Sequence, residues 1–313
     1  TPESLMPPSV PAPLVLGGQG FLGSNVVSSL RRSTRVIAHS RNTKIVGANI
    51  ESALFDFTDV SAFERALDSH AISYVVNCVA LADVDRCEQE PDSAMTINAY
   101  VPGRLAEVCR DRGIPFVHVS TDAVFDGMSD ENAVDSKPNP VNVYGHSKLA
   151  GEHMVLASNE QALVLRTNII GWSPSGQRSL FEFFVNNLRA RSSCNGFVDI
   201  TFRPISAWHF SPIVTLLLAE EAFGLHHIVG AELLSKFEFG QVVAEVLGVD
   251  PALVKPTNSD QIGGRVRRSP TLNLVPSPRL ESLAMPIKEQ LAQLLDLEKS
   301  GLRAELSSFI SQG

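Results

Sequence analysis

The stretch Leu16-Gly17-Gly18-Gln19-Gly20-Phe21-Leu22-Gly23-Ser24-Asn25-Val26-Val27 decides the fold. It follows the apolar run Leu14-Val15-Leu16, which reads as a buried strand. It leads into Leu22, Val26, Val27 and Leu30, spaced as one face of a helix. Glycines 17, 20 and 23 therefore lie on a strand-to-helix turn. Gly17 permits the tight turn, Gly20 lets the backbone approach a diphosphate, and Gly23 allows close helix–strand packing. A diphosphate would rest on the free N–H groups at the positive end of the helix. Gly17, Gly20, Phe21, Leu22 and Gly23 are thus candidates for holding a dinucleotide.

Outward from this turn, strands alternate with helices. Strands are expected at 36–38, 53–55, 74–79, 116–120 and 163–167. Ser61-Ala62-Phe63-Glu64 reads as a capping box that opens a helix. One long helix is expected over 92–112, kinked at Pro102 and stopped by Gly113. A polar loop at 122–140 precedes another helix over 142–157. The alternation predicts an α/β fold, a Rossmann-type doubly wound parallel sheet. Beyond Asn168 the pattern loosens. Phe181, Phe184, Val185 and Leu188 suggest a helix, and Ser211-Pro212 a cap followed by a first-turn proline. Ser235-Lys236-Phe237-Glu238 is a second capping box, opening a helix to about Leu247. Residues 255–280 are loop-rich, and the chain is helical from Ile287. The expected division is a Pro-rich disordered lead-in (1–13), a Rossmann domain (14–170) and a smaller mixed α/β lobe (171–313) interleaved with the last strands.

Composition narrows the function. The chain has 313 residues, 44% apolar and 19% charged, with 26 Lys plus Arg against 34 Asp plus Glu, a formal net charge of −8. That balance excludes a disordered chain and argues against a nucleic-acid polymer as partner, since such binders carry a basic footprint. It leaves anionic small molecules open. Cys78, Cys87, Cys109 and Cys194 have no CxxC spacing, so no disulfide framework is expected. His39, His118, His146, His226 and His227 show no metal-ligand spacing, so no metal is expected. No apolar run reaches the ~18 residues of a membrane span. The N-terminus lacks the features of a secretory signal and starts at Thr1 rather than Met, as a trimmed chain would. The expectation is a soluble, cytoplasmic protein without membrane contact.

The second strand ends at His39-Ser40-Arg41. A site preferring NAD would carry an acid about 20 residues beyond the glycine turn, for the ribose hydroxyls. Arg41 instead attracts a 2′-phosphate, so NADP(H) is preferred and NAD(H) is second. Asp56-Phe57, after the third strand, are placed to meet the adenine. Tyr144 and Lys148 are spaced i, i+4 and share a helix face. A phenol is a weak acid at neutral pH, and a neighbouring cation would lower its pKa. Thr121 adds a hydroxyl at the carboxyl edge of the sheet, where ligands bind in such folds. Each feature alone also fits a surface residue; their coincidence is what marks a site.

These residues resemble the extended short-chain dehydrogenase/reductase family, in particular its dTDP-4-dehydrorhamnose reductase branch. The matching segments are 16–27, 77–109 (NCVALADVDRCEQEPDSAMTINAYVPGRLAEVC), 116–127 (FVHVSTDAVFDG), 138–152 (PNPVNVYGHSKLAGE) and 164–167 (VLRT), with a weaker one at 226–250. The resemblance covers residues 14–250 and accounts for Pro102, since relatives carry a proline in the same helix. It places the family's catalytic triad on Thr121, Tyr144 and Lys148. It implies cofactor contacts from Cys78, Val79, Ala80, Ser120, Tyr144, Lys148 (on the nicotinamide ribose), Asn168 and Ile169, in addition to His39, Ser40, Arg41, Asp56 and Phe57. Asn98 would brace the catalytic end of the sheet beside the cofactor, and Val84 and Asp122 would face the substrate. Leu16 stands where the family usually has Thr, and Asn168-Ile169 where the reductases have Ser-Trp. Trp172 is a candidate to replace that tryptophan against the sugar. Arg203, in Arg203-Pro204-Ile205, replaces a small polar pair and is a candidate for substrate contact, with Arg178, Arg189 and Arg191 as other cations for the diphosphate. Asp83, Asp85 and Glu88 read as helix-capping acids. The implied activity is reduction of a keto group on a nucleotide-linked sugar by NADPH. A same-fold epimerase or dehydratase and a non-catalytic NADP-binding regulatory subunit, of the kind found in methionine adenosyltransferase, are the alternatives. The family often forms homodimers through the helices at 92–112 and around Tyr144.

Overall fold

The strand that feeds the glycine turn, β1 (Ala12–Leu16), lies inside a seven-stranded sheet in the computed structural model, which describes residues 10–261 and 270–311. After it come α1 (Phe21–Leu30), β2 (Val36–Ser40), β3 (Ile50–Leu54), α2 (Val60–Ser69) and β4 (Ile72–Asn77). Two short helices, α3 (Val84–Gln89) and α4 (Pro91–Met95), precede a π-helical turn (Thr96–Tyr100) and α5 (Val101–Asp111). Then follow β5 (Phe116–Thr121), α6 (Val143–Ser158) and β6 (Leu163–Thr167). The sheet closes with β11 (Gly224–Ile228), giving the order β11-β6-β5-β4-β1-β2-β3, parallel throughout. This is the doubly wound Rossmann order, which reverses direction between β1 and β4. Ligands bind at the carboxyl ends of strands beside such a reversal.

Helices cover both faces, which is why the inner strands are buried and mainly apolar, with polar residues gathered toward their carboxyl ends. Side chains alternate between faces along each strand. Val15, Val76 and Val117 point to one side, against Val26 and Val27 of α1. Leu14, Leu16, Val75 and Phe116 point to the other, against Phe63 of α2 and Leu105 of α5.

The remaining segments are β7 (Ile169–Ile170), α7 (Leu180–Arg189), β8 (Cys194–Phe197), β9 (Thr201–Phe202), β10 (Ile205–Ser206), α8 (Ala207–Ala219), β12 (Leu234–Ser235), α9 (Lys236–Leu247), β13 (Val254–Thr257), β14 (Thr271–Leu272), α10 (Ile287–Lys299) and α11 (Leu302–Ser308). They form three small sheets, β10-β7, β12-β9-β14 and β13-β8, packed with α7, α9 and α10 beyond the carboxyl edge of the main sheet. Phe210 and Val214 of α8 join the same core as α1.

Four local expectations change. Strand β1 starts at Ala12, inside the stretch read as lead-in, while residues 1–9 lie outside the described residues, as do 262–269 of the loop-rich stretch. Helix α2 is capped by Asp59, whose Oδ1 accepts from the Ala62 N–H at 3.0 Å, so Ser61 sits inside the helix. The single kinked helix over 92–112 is instead interrupted by the π-helical turn, in which the Val101 N–H reaches back to the Thr96 carbonyl. Pro102 has no N–H for the Asn98 carbonyl four residues back, and the wider turn relieves the clash a proline makes there. That freed carbonyl packs on α6 at Gly151, where a Cβ would come within 2.1 Å of it. Finally, α8 starts from the Ser206 cap, and Ser211-Pro212 lie within it.

The glycine turn itself allows no side chain at its third position. A Cβ on Gly23 would stand 2.1 Å from the Gly17 carbonyl oxygen. Gly23→Ala must therefore force α1 off β1, and is expected to cost about 3 kcal/mol or more of stability, the upper part of the overpacking range. Chemical denaturation checks this; an unchanged midpoint would contradict the packing.

Candidate active site

Gly17, at φ +78°, bends the chain out of β1, and the Gly20 N–H returns to its carbonyl at 2.9 Å. Gly20 is exposed and precedes α1 with no side-chain cap, which leaves the first N–H groups of the helix available to an anion. The turn is pinned from below by His39. The Gly17 N–H donates to its Nδ1 at 3.1 Å, and its Nε2 donates to the Phe55 carbonyl at 3.0 Å. Burial lowers the imidazole pKa, so the ring stays neutral in this role. His39 thus braces the turn from the interior and does not present itself to a ligand. Ser40 is likewise turned inward, its hydroxyl donating to the Thr43 carbonyl. On the other flank, the Cys78 N–H donates to the Leu16 carbonyl at 3.1 Å, Val79 packs against Gly17, and Ala80 is exposed.

At the tips of β2 and β3, Arg41 and Asp56 form an exposed ion pair at 2.7 Å. The Thr58 N–H and then Arg41 hold the Asp56 carboxyl down at about 2. Asp56 accepts from Nε and Nη2 of Arg41, which orients the guanidinium while most of it stays in solvent. Phe57, expected near an adenine, is instead buried in the core with Phe55 and Phe63, because the chain turns into α2 directly after it. A tight glycine-rich turn, an uncapped helix end and an exposed guanidinium at the tip of β2 together fit a dinucleotide carrying a 2′-phosphate.

The second half of the site lies where β5 ends and α6 begins. Thr121 closes β5. Asn142 caps α6 through its Oδ1, which accepts from the Gly145 N–H at 2.8 Å, and this places Tyr144 in the first turn and Lys148 one turn later. The Thr121 hydroxyl donates to Asp122 Oδ1 at 3.1 Å and lies near enough to the Tyr144 phenol to oppose part of the effect of burial on it. Burial pushes the Tyr144 phenol up to about 12. The expected lowering by Lys148 is absent from this arrangement. The Lys148 ammonium is turned away, donating to the Val119 carbonyl at 2.6 Å, and burial brings its own pKa down to about 8.

Asp122 is 3% exposed, and burial raises its pKa to about 6 against the opposing effect of Asn168, whose Nδ2 donates to it at 2.5 Å. Asn168 therefore lies on the wall of the same cavity as Asp122, while Ile169 enters β7 beside it.

Beneath these groups is a buried polar layer. Asn98 accepts from the Leu81 N–H at 2.8 Å and donates to Ser147 Oγ at 2.9 Å, and Ser147 in turn donates to the Tyr144 carbonyl at 2.8 Å. Ser120 donates to Glu152 at 2.5 Å, and Glu152 takes two hydrogen bonds from Arg166 at 2.9 and 2.7 Å. Asn98 and Ser120, at 0% and 3% exposure, are therefore braces under the site and not cofactor-facing groups. The acids read as caps behave as such: Asp83 caps α3, and Glu88 accepts from the Val143 N–H at the start of α6 at 2.8 Å.

A cavity of about 180 Å³ opens above the Thr121–Tyr144 pair. Val84 and Asp122, expected to face a substrate, line it together with Asn168, which was expected at the cofactor, and the second wall comes from Ile200, Thr201, Phe202, Lys236 and Leu272. No short-range signal marks these last residues, because only the pairing of β9 with β12 and β14 brings them to the site. Two substrate candidates lie elsewhere. Trp172 is fully buried, its Nε1 donating to the Leu294 carbonyl at 2.8 Å and its ring 4.8 Å from that of Phe181, so it is a core residue. Arg203 lies outside the cavity wall and donates to the Ala231 carbonyl at 3.2 Å. Arg189 is paired with Glu298 at 2.6 Å. Lys236 is the cation of the cavity wall, close enough for its charge to act on Asp122.

Among the described residues no group of three His, Cys, Asp or Glu is placed to hold a metal ion, and no helix is long and apolar enough to cross a membrane.

Comparison with known proteins gives several reductases and, at 27% identity over 300 residues, the methionine adenosyltransferase 2 subunit beta of Bos taurus. The family described as RmlD substrate binding domain matches residues 13–297. The probable low-salt glycan biosynthesis reductase Agl14 of Haloferax volcanii is 34% identical over 262 residues, 82% of this chain and 87% of that protein. A dTDP-4-dehydrorhamnose reductase of Mycobacterium tuberculosis is 31% identical over 268 residues, 82% of each chain. The crystal structure of dTDP-4-dehydrorhamnose reductase from Bacillus anthracis in complex with NADP superposes with a TM-score of 0.79 at 20% identity, covering 92% of this chain and 100% of that one, a likeness of fold.

Proposed function

The chain belongs to the extended short-chain dehydrogenase/reductase family, in the branch described by the RmlD substrate binding domain, and on that premise we propose that it is an NADPH-dependent reductase of a keto group on a nucleotide-linked sugar. The observation that carries this reading is the Thr121–Tyr144 hydroxyl pair, set at the carboxyl edge of the sheet and opening into a cavity with mixed polar and apolar walls. NADPH, when bound along the glycine turn, supplies the hydride.

The remaining chemistry belongs to the chain's own residues. A reduced carbonyl leaves an alkoxide, which is far more basic than a phenolate and takes a proton readily from Tyr144. A phenol at about 12 is fully protonated at neutral pH, so Tyr144 is charged with its proton before the reaction starts. Thr121 gives the same oxygen a second hydrogen bond as its charge develops. Lys148, on the same face of α6, is the residue to hold the nicotinamide ribose. In the cavity, Val84, Ile200 and Phe202 suit the apolar face of a deoxysugar, and Asp122, Asn168 and Thr201 suit its hydroxyls. A 4-keto-6-deoxyhexose linked to a nucleoside diphosphate is the substrate class that fits, with Lys236 placed to meet an oxygen-rich part of it. The experiment is a spectrophotometric assay with NADPH and dTDP-4-keto-6-deoxyhexoses. Oxidation of NADPH dependent on the sugar supports the proposal, and a flat trace across the available keto-sugars refutes it.

The cofactor preference rests on Arg41. Replacing it by aspartate, Arg41→Asp, removes a charge-assisted contact and adds a repulsion, so the ratio of kcat/KM for NADPH over NADH is expected to fall by about tenfold or more. Steady-state kinetics with both nucleotides checks this, and an unchanged ratio would take Arg41 out of the site.

A further inference from the structure

The glycine turn between β1 and α1 carries a single side chain. Residues 17, 18 and 20 are glycines, and the remaining one is Gln19. Its Nε2 donates at 2.6 Å to the carbonyl of Phe309, the residue that ends α11, 290 positions away in the chain. The last carbonyls of a helix have no acceptor role within it and lie at its negative end, so this carbonyl is a natural acceptor for an amide. Helix α11 lies beyond residue 297, where the match to the family ends.

Several independent contacts seat α11 on the outer side of α1. Leu302, Leu306 and Phe309 are 0–1% exposed and join the same core as Val26 and Val27 of α1. Glu305 pairs with Arg31 at 2.5 Å and with Arg32 at 3.5 Å, just past the C-terminal end of α1. Arg303 lies over the buried Trp172 ring at 4.6 Å, and the Trp172 carbonyl accepts from Asn25 of α1 at 2.8 Å. The helix is thus fastened at both ends of α1, and one of the two fastenings is the side chain of the phosphate-binding turn.

We infer that α11 is a positioning element for cofactor binding: its docking holds Gln19, and through Gln19 the turn, in the conformation that receives the diphosphate. The inference rests on the reading of that turn as the dinucleotide site. With α11 seated, the turn is held in place before the nucleotide arrives; with α11 released, binding must order it.

The test is a double-mutant cycle on the full chain with Gln19→Ala and Glu305→Ala, reading the Kd for NADPH by fluorescence titration and folding by thermal denaturation. Each single variant is expected to weaken NADPH by about five- to tenfold, the effect of one hydrogen bond. The double variant should be no weaker than the weaker-binding single one, because both act through the same contact. The loss should fall on the KM for NADPH, with kcat and the KM for the sugar little changed. If Glu305→Ala binds NADPH like the unaltered chain, or if the two losses multiply, the inference is overturned. Glu305→Gln, which keeps the shape and removes the charge, serves the same cycle should the alanine variant unfold, with a smaller loss expected in the same direction and an unchanged Kd again overturning it. Failure of the unaltered chain to bind NADPH would instead overturn the reading of the turn itself.

Discussion

Tyr144→Phe is expected to lower kcat by about three orders of magnitude while leaving the fold and the affinity for NADPH unchanged. General acid catalysis by one positioned group contributes roughly 10²–10⁴-fold, and no other residue of the cavity wall is as well placed to replace it. Thr121 lies beside Tyr144, but its hydroxyl, which donates to Asp122 at 3.1 Å, is too weakly acidic to serve. Asp122 is raised to about 6 and is mostly ionised at neutral pH, with its oxygens engaged by Asn168 and Thr121. The substitution removes one oxygen from a half-buried ring, so packing is preserved. Single-turnover rates with saturating NADPH, together with a fluorescence titration, separate chemistry from binding. A variant within tenfold of the parent would move the proton donor elsewhere, with Asp122→Asn as the next substitution to make.

Glu152→Ala should have the largest effect on stability. Glu152 and Arg166 are 2% and 3% exposed and bridge at 2.7 Å, and Glu152 also accepts from Ser120. Removing the carboxylate leaves Arg166 charged and unpaired in the interior, next to His227, whose pKa burial already lowers to about 4. Breaking a buried pair from one side costs about 3–5 kcal/mol. At roughly 2–4 °C per kcal/mol for a chain of this size, the melting temperature should fall by about 10 °C. Glu152→Gln retains an acceptor for Ser120 and Arg166 and should fall less. Calorimetry of the two variants decides it, and a drop of under about 2 °C for the alanine variant would show that Arg166 finds another partner or water.

What the sequence disclosed follows from the range of the interactions involved. The glycine spacing at 17, 20 and 23, the Ser235–Glu238 capping box and the Tyr144–Lys148 pair are local patterns, and the structure carries each at the expected place. The parallel sheet was legible because apolar strands buried on both faces have few other homes. Trp172 and Arg203 were misplaced because resemblance located them by neighbours in the chain, whereas their surroundings come from α10 and from the loop holding Ala231. Ser61 was a worse cap than Asp59 only because the helix starts one residue later than Asp59, a shift that periodicity does not resolve. The π-helical turn at Thr96–Tyr100 had its mark in Pro102, read there as a kink. The second wall of the cavity, with Lys236, had no mark at all, since three short strands must pair before it exists.

The central claim is a net transfer of hydride from NADPH to a carbonyl carbon of a nucleotide-linked sugar. Its most direct test uses NADPH deuterated at the transferring position of the nicotinamide, with a dTDP-4-keto-6-deoxyhexose as acceptor. Mass spectrometry and NMR of the product should find one deuterium at the former carbonyl carbon for each NADP⁺ formed, and Tyr144→Phe should abolish its appearance. A rearranged sugar without deuterium and without net NADP⁺ would identify an epimerase or dehydratase. Tight NADPH binding with neither product would identify a regulatory subunit, and either result would contradict the account.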